Sequence, residues 1–132
     1  MAAPVELLQK VPLFGGLEQR DLQNIASSMK ERTFNAGDKV TEEGRGGIGF
    51  FVIADGNAKV TVGGREVRTV GPGDYFGEIA LITDTDRTAT ITAKTDLRCY
   101  GMTSWEFKPL VESNGAVAWK LLQSLGKLLH DR

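Results

Sequence analysis

The 132-residue chain is short of most residues that announce a chemistry. It has one cysteine, Cys99, so no internal disulfide can form and the fold owes nothing to oxidation. Cys99 falls in Leu97-Arg98-Cys99-Tyr100, alternating with Arg98, which places the thiol on a buried strand face. A catalytic thiol wants a histidine, and the single one, His130, stands near the end of the sequence. No nucleophile–base pair, metal constellation or pair of catalytic carboxylates is visible, so no enzyme activity is expected. Asp84-Thr85-Asp86 has the look of a calcium loop but runs into Arg87 without the glycine and glutamate such a loop needs. No metal or cofactor is therefore expected. Charge of neither sign dominates: a net charge of −1 supplies no basic face for nucleic acid or an anionic membrane. Long apolar runs are missing too, and Met1–Lys10 lacks the basic and apolar regions of a secretion signal. The expectation is a cytoplasmic protein with no nucleic-acid or membrane partner.

What is there reads as one globular domain over 1–132, with 41% apolar and 25% charged residues, ordinary for a soluble chain. Residues 4–10 read as a short helix, with Val5, Leu8 and Val11 along one side, and Leu17–Lys30 as a second carrying Leu22, Ile25, Ala26 and Met29. These helices are expected to cover a sheet. From Thr33 the period changes to two, with turn signals every eight to twelve residues, as in a barrel or jelly roll. Asn35–Asp38 is a turn into a strand at 39–43, and Gly44-Arg45-Gly46-Gly47 is a loop. Ile48–Ala54 is apolar enough to be a central strand. Asp55-Gly56 is a hairpin dipeptide, and Ala58–Val62 alternates outward Lys59 and Thr61 with inward Val60 and Val62. Gly63-Gly64 makes a further hairpin to Arg65–Val70. Leu97–Met102 is the last strand. Ser104 is the expected N-cap of a helix that Pro109 should shorten or kink. Beyond Gly115 a final helix carries Ala118, Leu121, Leu125 and Leu128, with Leu122 and Leu129 widening the stripe. That stripe can pack on the barrel, swing over a ligand, or pair with another chain. Trp119 is either a stacking cap for a ligand or a core residue under the helix.

The stretch Gly71-Pro72-Gly73-Asp74-Tyr75-Phe76-Gly77-Glu78-Ile79-Ala80-Leu81-Ile82, closing with Arg87-Thr88-Ala89-Thr90, organises the rest. Gly71–Asp74 suits a type II turn. Gly77 removes a Cβ where a helical turn would start, so a ligand can approach the backbone. First-turn amides favour an anion. Arg87 offers a planar fork for a phosphate's two free oxygens, and Glu78 can accept hydrogen bonds from a sugar hydroxyl. One guanidinium for one negative charge, and one carboxylate for one hydroxyl, describe a cyclic nucleotide better than a triphosphate.

The run Phe76-Gly77-Glu78-Ile79-Ala80-Leu81-Ile82, followed after four residues by Arg87-Thr88-Ala89-Thr90, resembles the phosphate-binding cassette of cyclic nucleotide-binding domains. That family includes kinase regulatory subunits, gated ion channels and the catabolite activator protein. The likeness extends from Val11-Pro12-Leu13-Phe14 to the C-terminal helix. It implies an α+β fold, an eight-stranded antiparallel, jelly-roll-like β-roll over 33–103 flanked by N-terminal helices (1–32) and C-terminal helices (104–132), with the cassette at 76–90. It assigns Arg87 to the cyclic phosphate and Glu78 to the ribose 2′-hydroxyl, with backbone amides around Gly77, Ile79, Ala80 and Ala89 helping, and Phe76 opening the cassette. The implied ligand is a cyclic purine nucleotide, cyclic AMP ahead of cyclic GMP. Thr88 holds the family's purine-reading position, where one hydroxyl serves either base. Asp86 stands where the family usually has proline, which loosens the free loop and sets a carboxylate beside Arg87. The implied function is a non-catalytic sensor that moves its C-terminal helix, with an effector protein or a homodimer through that helix as partner. The alternatives are a degenerate module that binds a protein and no nucleotide, and a fragment of a transcription factor, since the sequence stops where that group's DNA-binding domain would begin.

Overall fold

The computed structural model describes residues 3–42, 44, 49–83 and 89–131. Two helices open the chain, α1 (Val5–Gln9) and α2 (Gln19–Ser28), with a 3-10 turn at Pro12–Phe14 between them. Eight strands follow: β1 (Lys30–Phe34), β2 (Lys39–Thr41), β3 (Phe50–Asp55), β4 (Ala58–Val62), β5 (Arg65–Val70), β6 (Tyr75–Phe76), β7 (Thr90–Ala93) and β8 (Leu97–Met102). Helices α3 (Ser104–Glu112) and α4 (Gly115–His130) close the fold. The strands form two four-stranded antiparallel sheets, ordered β1-β8-β3-β6 and β2-β7-β4-β5. This is the α+β roll that the resemblance implied.

Strand β3 explains the arrangement. Phe50, Val52 and half-buried Ala54 face the helices, and Phe51 and Ile53 face the other sheet. A strand covered on both sides reads as a near-continuous apolar run, which is why it looked central. Its neighbour β8 divides likewise, with Tyr100 and Met102 toward the helices and Leu97 and Cys99 inside the roll. The helical side is a cluster in which Phe14 meets the Phe50 ring edge-on at 5.7 Å and the Phe107 ring at 6.2 Å. Cys99 is fully buried, and burial pushes its thiol up to about 12, which makes it a core residue rather than a nucleophile.

Several local expectations need correcting. Helix α2 stops at Ser28, and β1 begins at Lys30, three residues before the alternation does. Being an edge strand with exposed Lys30, Glu31 and Arg32, β1 shows no apolar period to read. Asp55-Gly56 is a corner between sheets, for β3 pairs with β6 and β8 while β4 pairs with β5 and β7. The same dipeptide chemistry serves both purposes, since each needs the positive φ of Gly56 (91°). Gly63-Gly64 is a true two-residue hairpin with Val62 opposite Arg65. Val62 itself is 44% exposed, because it lies at the hairpin tip beyond the roll. The loop at 45–47, and Ile48, lie outside the described residues.

Helix α3 is capped by Thr103, not Ser104, and runs through Pro109 to Glu112. The proline removes the bond to the Trp105 carbonyl, and with Trp105 exposed that oxygen is within reach of water. The cap is a box: the Glu106 carboxylate accepts from the Thr103 amide at 3.0 Å and its hydroxyl at 2.8 Å, with Lys30 at 3.5 Å. The Thr103 amide, more than any other group, holds the Glu106 carboxyl below its usual 4.5. A carboxyl depressed on folding stabilises above its unfolded value, and loses that contribution as pH falls through the folded one. Glu106→Gln is therefore expected to cost about 1 kcal/mol at neutral pH, as lost caps do. Scanning calorimetry should show the parent's advantage shrinking between about pH 5 and pH 3. An advantage unchanged over that range would refute the assignment.

Candidate functional site

The glycine-rich turn behaves as its chemistry dictates. Gly73 has φ 88°, and the Asp74 amide donates to the Gly71 carbonyl at 2.9 Å, while the Asp74 carboxylate accepts from the Gly71 amide at 2.8 Å. The turn is sewn to β3 by Ile53 N–H to the Asp74 carbonyl (2.9 Å) and Gly73 N–H to the Ile53 carbonyl (2.8 Å). That fixes β6 against β3, with Phe51 opposite Phe76 and their rings stacked at 5.4 Å. Phe76 thus enters the roll and Tyr75 leans to the helical side.

Gly77 follows in the left-handed region (φ 83°, ψ 14°) and starts a 3-10 turn over Glu78–Leu81. At four residues this turn is too short for a helix dipole of any size, so an anion here would depend on individual donors. The Ala80 amide is engaged with the Gly77 carbonyl at 3.0 Å. Leu81 is buried among the helices, and Ile79 is 45% exposed. Ala89 packs on the same inner cluster as Phe76, so both ends of the cassette meet inside the roll. Arg87 and Thr88, with Asp84, Thr85 and Asp86, lie outside the described residues.

Two residues were missed from sequence. Thr41, 8% exposed, donates its hydroxyl to the Ala89 carbonyl at 3.4 Å, and Thr61 does the same to Thr90, so β2 and β4 hold the point where the cassette re-enters the sheet. Arg68 lies directly across from inward Val60, on the inner face of edge strand β5 at the rim of the roll. Burial chiefly, and then the Glu78 carboxylate, raise the pKa of Tyr75, while the Arg68 guanidinium opposes them, so all three groups share one field. The inward assignment of Val60 would have found Arg68, had its cross-strand partner been followed.

Behind the 3-10 turn, Ala80–Thr83 form one wall of an apolar cleft of about 590 Å³, closed on the other sides by Phe107 and Val111 of α3 and Leu121 and Leu125 of α4. Helix α4 is held by Val117 and Leu121, both buried, and by Lys120, which bridges Glu18 at 3.6 Å and Asp21 at 3.8 Å. Trp119 is 62% exposed, so it neither fills the core nor stacks on any ring among the described residues.

A family model, "Cyclic nucleotide-binding domain", matches residues 31–114. The chain is 42% identical over 93 residues to a cAMP-dependent protein kinase regulatory subunit of Schizosaccharomyces pombe, covering 70% of this chain and 23% of that protein. The chain therefore spans about a quarter of the length of the curated relatives it matches. Among solved structures, the N-terminal domain of a transcriptional regulator from Streptomyces coelicolor superposes with TM-score 0.85 at 30% identity, covering 95% of this chain and 93% of that one. The regulatory domain of Toxoplasma gondii PKA with cAMP superposes with TM-score 0.72 at 28% identity, covering 80% of this chain and 42% of that one. No helix among the described residues is long and apolar enough to cross a membrane.

Proposed function

Because this chain belongs to the cyclic nucleotide-binding domain family, we propose that it is a non-catalytic sensor of a cyclic purine nucleotide, cyclic AMP ahead of cyclic GMP, which signals through α4. The observation that carries this reading is the left-handed Gly77 turn, with Glu78 directly after it and Phe76 and Ala89 gathered inside the roll. In this reading Arg87 receives the cyclic phosphate, backbone amides of the turn assist it, and Glu78 receives the ribose 2′-hydroxyl. The preference for cyclic AMP is supported by relatives named for it. One observation favours cyclic GMP: the guanidinium of Arg68, on the inner face at the rim, suits the O6/N7 edge of guanine. The nucleotide moves α4 only as far as it prefers one position of the helix over the other.

Calorimetric titration with each nucleotide decides between them, and the fluorescence of exposed Trp105 and Trp119 reports any shift of the helices. Binding of neither nucleotide would favour the alternative, a degenerate module that docks a protein partner, for which Asp86 beside Arg87 is the best support. Glu78→Ala is expected to weaken cyclic AMP by about 1–3 kcal/mol while leaving the 2′-deoxy nucleotide little changed. Equal losses for both ligands would remove Glu78 from the ribose.

A further inference from the structure

A hollow in the roll lies apart from the cassette. On the inner face of the first sheet, Lys30, Gly101, Phe51 and Phe76 stand in one cross-strand row, on β1, β8, β3 and β6. Gly101 fills no space in that row, and the Phe51 ring leans over it so closely that a Cβ there would sit 2.9 Å away. A Cβ on Gly49 would collide with the Met102 carbonyl, so neither glycine can give up its place to a side chain. A pocket of about 250 Å³ remains between edge strands β1 and β2, with Phe34, Val40 and Phe51 as its apolar walls. Phe51 meets Phe34 edge-on at 6.3 Å and stacks on Phe76, so it stands between the pocket and the start of the cassette.

Arg32 supplies the charge. It lies directly across from Cys99, which is buried inside the roll, so both side chains share the inner face. Arg32 lines the pocket at the open edge, and among the described residues it has no ion pair or hydrogen bond. The other charged group of the lining, Glu106, is already engaged by Thr103 and Lys30. We propose that this pocket binds a small aromatic monocarboxylate, held by both arms of the Arg32 fork, with its ring among Phe34, Val40 and Phe51. A mostly apolar cavity with one placed polar group is built for such a ligand, and a volume below the ~300–1,000 Å³ of drug-sized sites limits it to one or two rings. A dianion would bring more charge than one guanidinium pairs, and a neutral ring would leave that guanidinium unmatched. Occupancy requires no nucleotide, so the proposal stands apart from the sensor reading.

Phenylacetate is the probe. Titrated into the full chain at fixed ionic strength, it should shift the Gly49 and Gly101 amides saturably in two-dimensional NMR. The dissociation constant should be on the order of 1 mM or below, as about ten non-hydrogen atoms permit. Phenylacetamide, the same shape without the charge, should bind at least ~10-fold more weakly, and Arg32→Gln should weaken phenylacetate by a similar factor. Arg32→Lys should recover part of the loss, since the charge returns without the fork. Circular dichroism checks the fold of both variants, and the comparison of acid with amide, made on the parent, decides even if neither folds. No saturable shift, an amide that binds as tightly as the acid, or shifts gathered away from the two glycines would each overturn the proposal. So would a folded Arg32→Gln protein that binds like the parent.

Discussion

Arg87→Glu is expected to lower cyclic nucleotide affinity by about 3–5 kcal/mol, that is by a factor of roughly a hundred to a few thousand, through lost charge-assisted hydrogen bonds and added repulsion. The flanks of the loop frame the argument. Residue 83 leaves the 3-10 turn at the cleft against α3 and α4, and Ala89 re-enters on the inner cluster with its carbonyl held by Thr41. Five residues join these points, and Arg87, one of them, is the group that the proposed reading gives to the cyclic phosphate. Arg87→Ala should fall between parent and glutamate variant, since it removes donors without adding charge. Calorimetry with cyclic AMP at fixed ionic strength measures all three. A glutamate variant that binds like the parent would leave the anion with some other cation, and the site assignment would fail.

Gly56→Ala should cost about 2–4 kcal/mol of folding stability, roughly 10 °C in Tm for a chain of this size. Two penalties add. The residue sits at φ 91°, where a Cβ is strained, and the Cβ itself would be driven into the Asp96 carbonyl oxygen and to 3.0 Å from the Thr95 hydroxyl. The 56–57 corner cannot retreat, because the Thr95 hydroxyl accepts from the Asn57 amide at 3.0 Å and the Asn57 carbonyl accepts from the Lys94 amide at 2.8 Å. Urea unfolding followed by fluorescence gives the difference directly. A variant within 0.5 kcal/mol of the parent, the span of an ordinary surface change, would show that this corner yields more easily than its contacts indicate.

Most of the architecture was legible because local chemistry and tertiary demand agree. β8 runs Leu97–Met102 as its alternation indicated, Gly63-Gly64 closes a real hairpin, and Pro72-Gly73 makes the turn that proline and glycine suit. Asp55-Gly56 misled because a positive φ marks a turn without saying whether the flanking strands pair. The early start of β1 was hidden because an exposed edge strand has little apolar pattern to show. Within the candidate site, Gly77 and Glu78 stood out through glycine punctuation and a recognisable run. Thr41 and Arg68 did not, because their relevance comes from strand register, Thr41 beside Ala89 at the β2–β7 pairing and Arg68 against Val60 across the β4–β5 ladder. The exposure of Trp119 was equally invisible, since stripes on opposite sides of one helix read alike.

A single thickness of backbone, β3, separates the interior of the roll from the helices. Phe51, stacked on Phe76, and Phe50, against Phe14, are consecutive residues on opposite faces of it. In the proposed sensor, pressure on the first ring would have one peptide unit to cross to the second, and close-packed interiors compress little. The partition wall would then be the diaphragm, with no long relay.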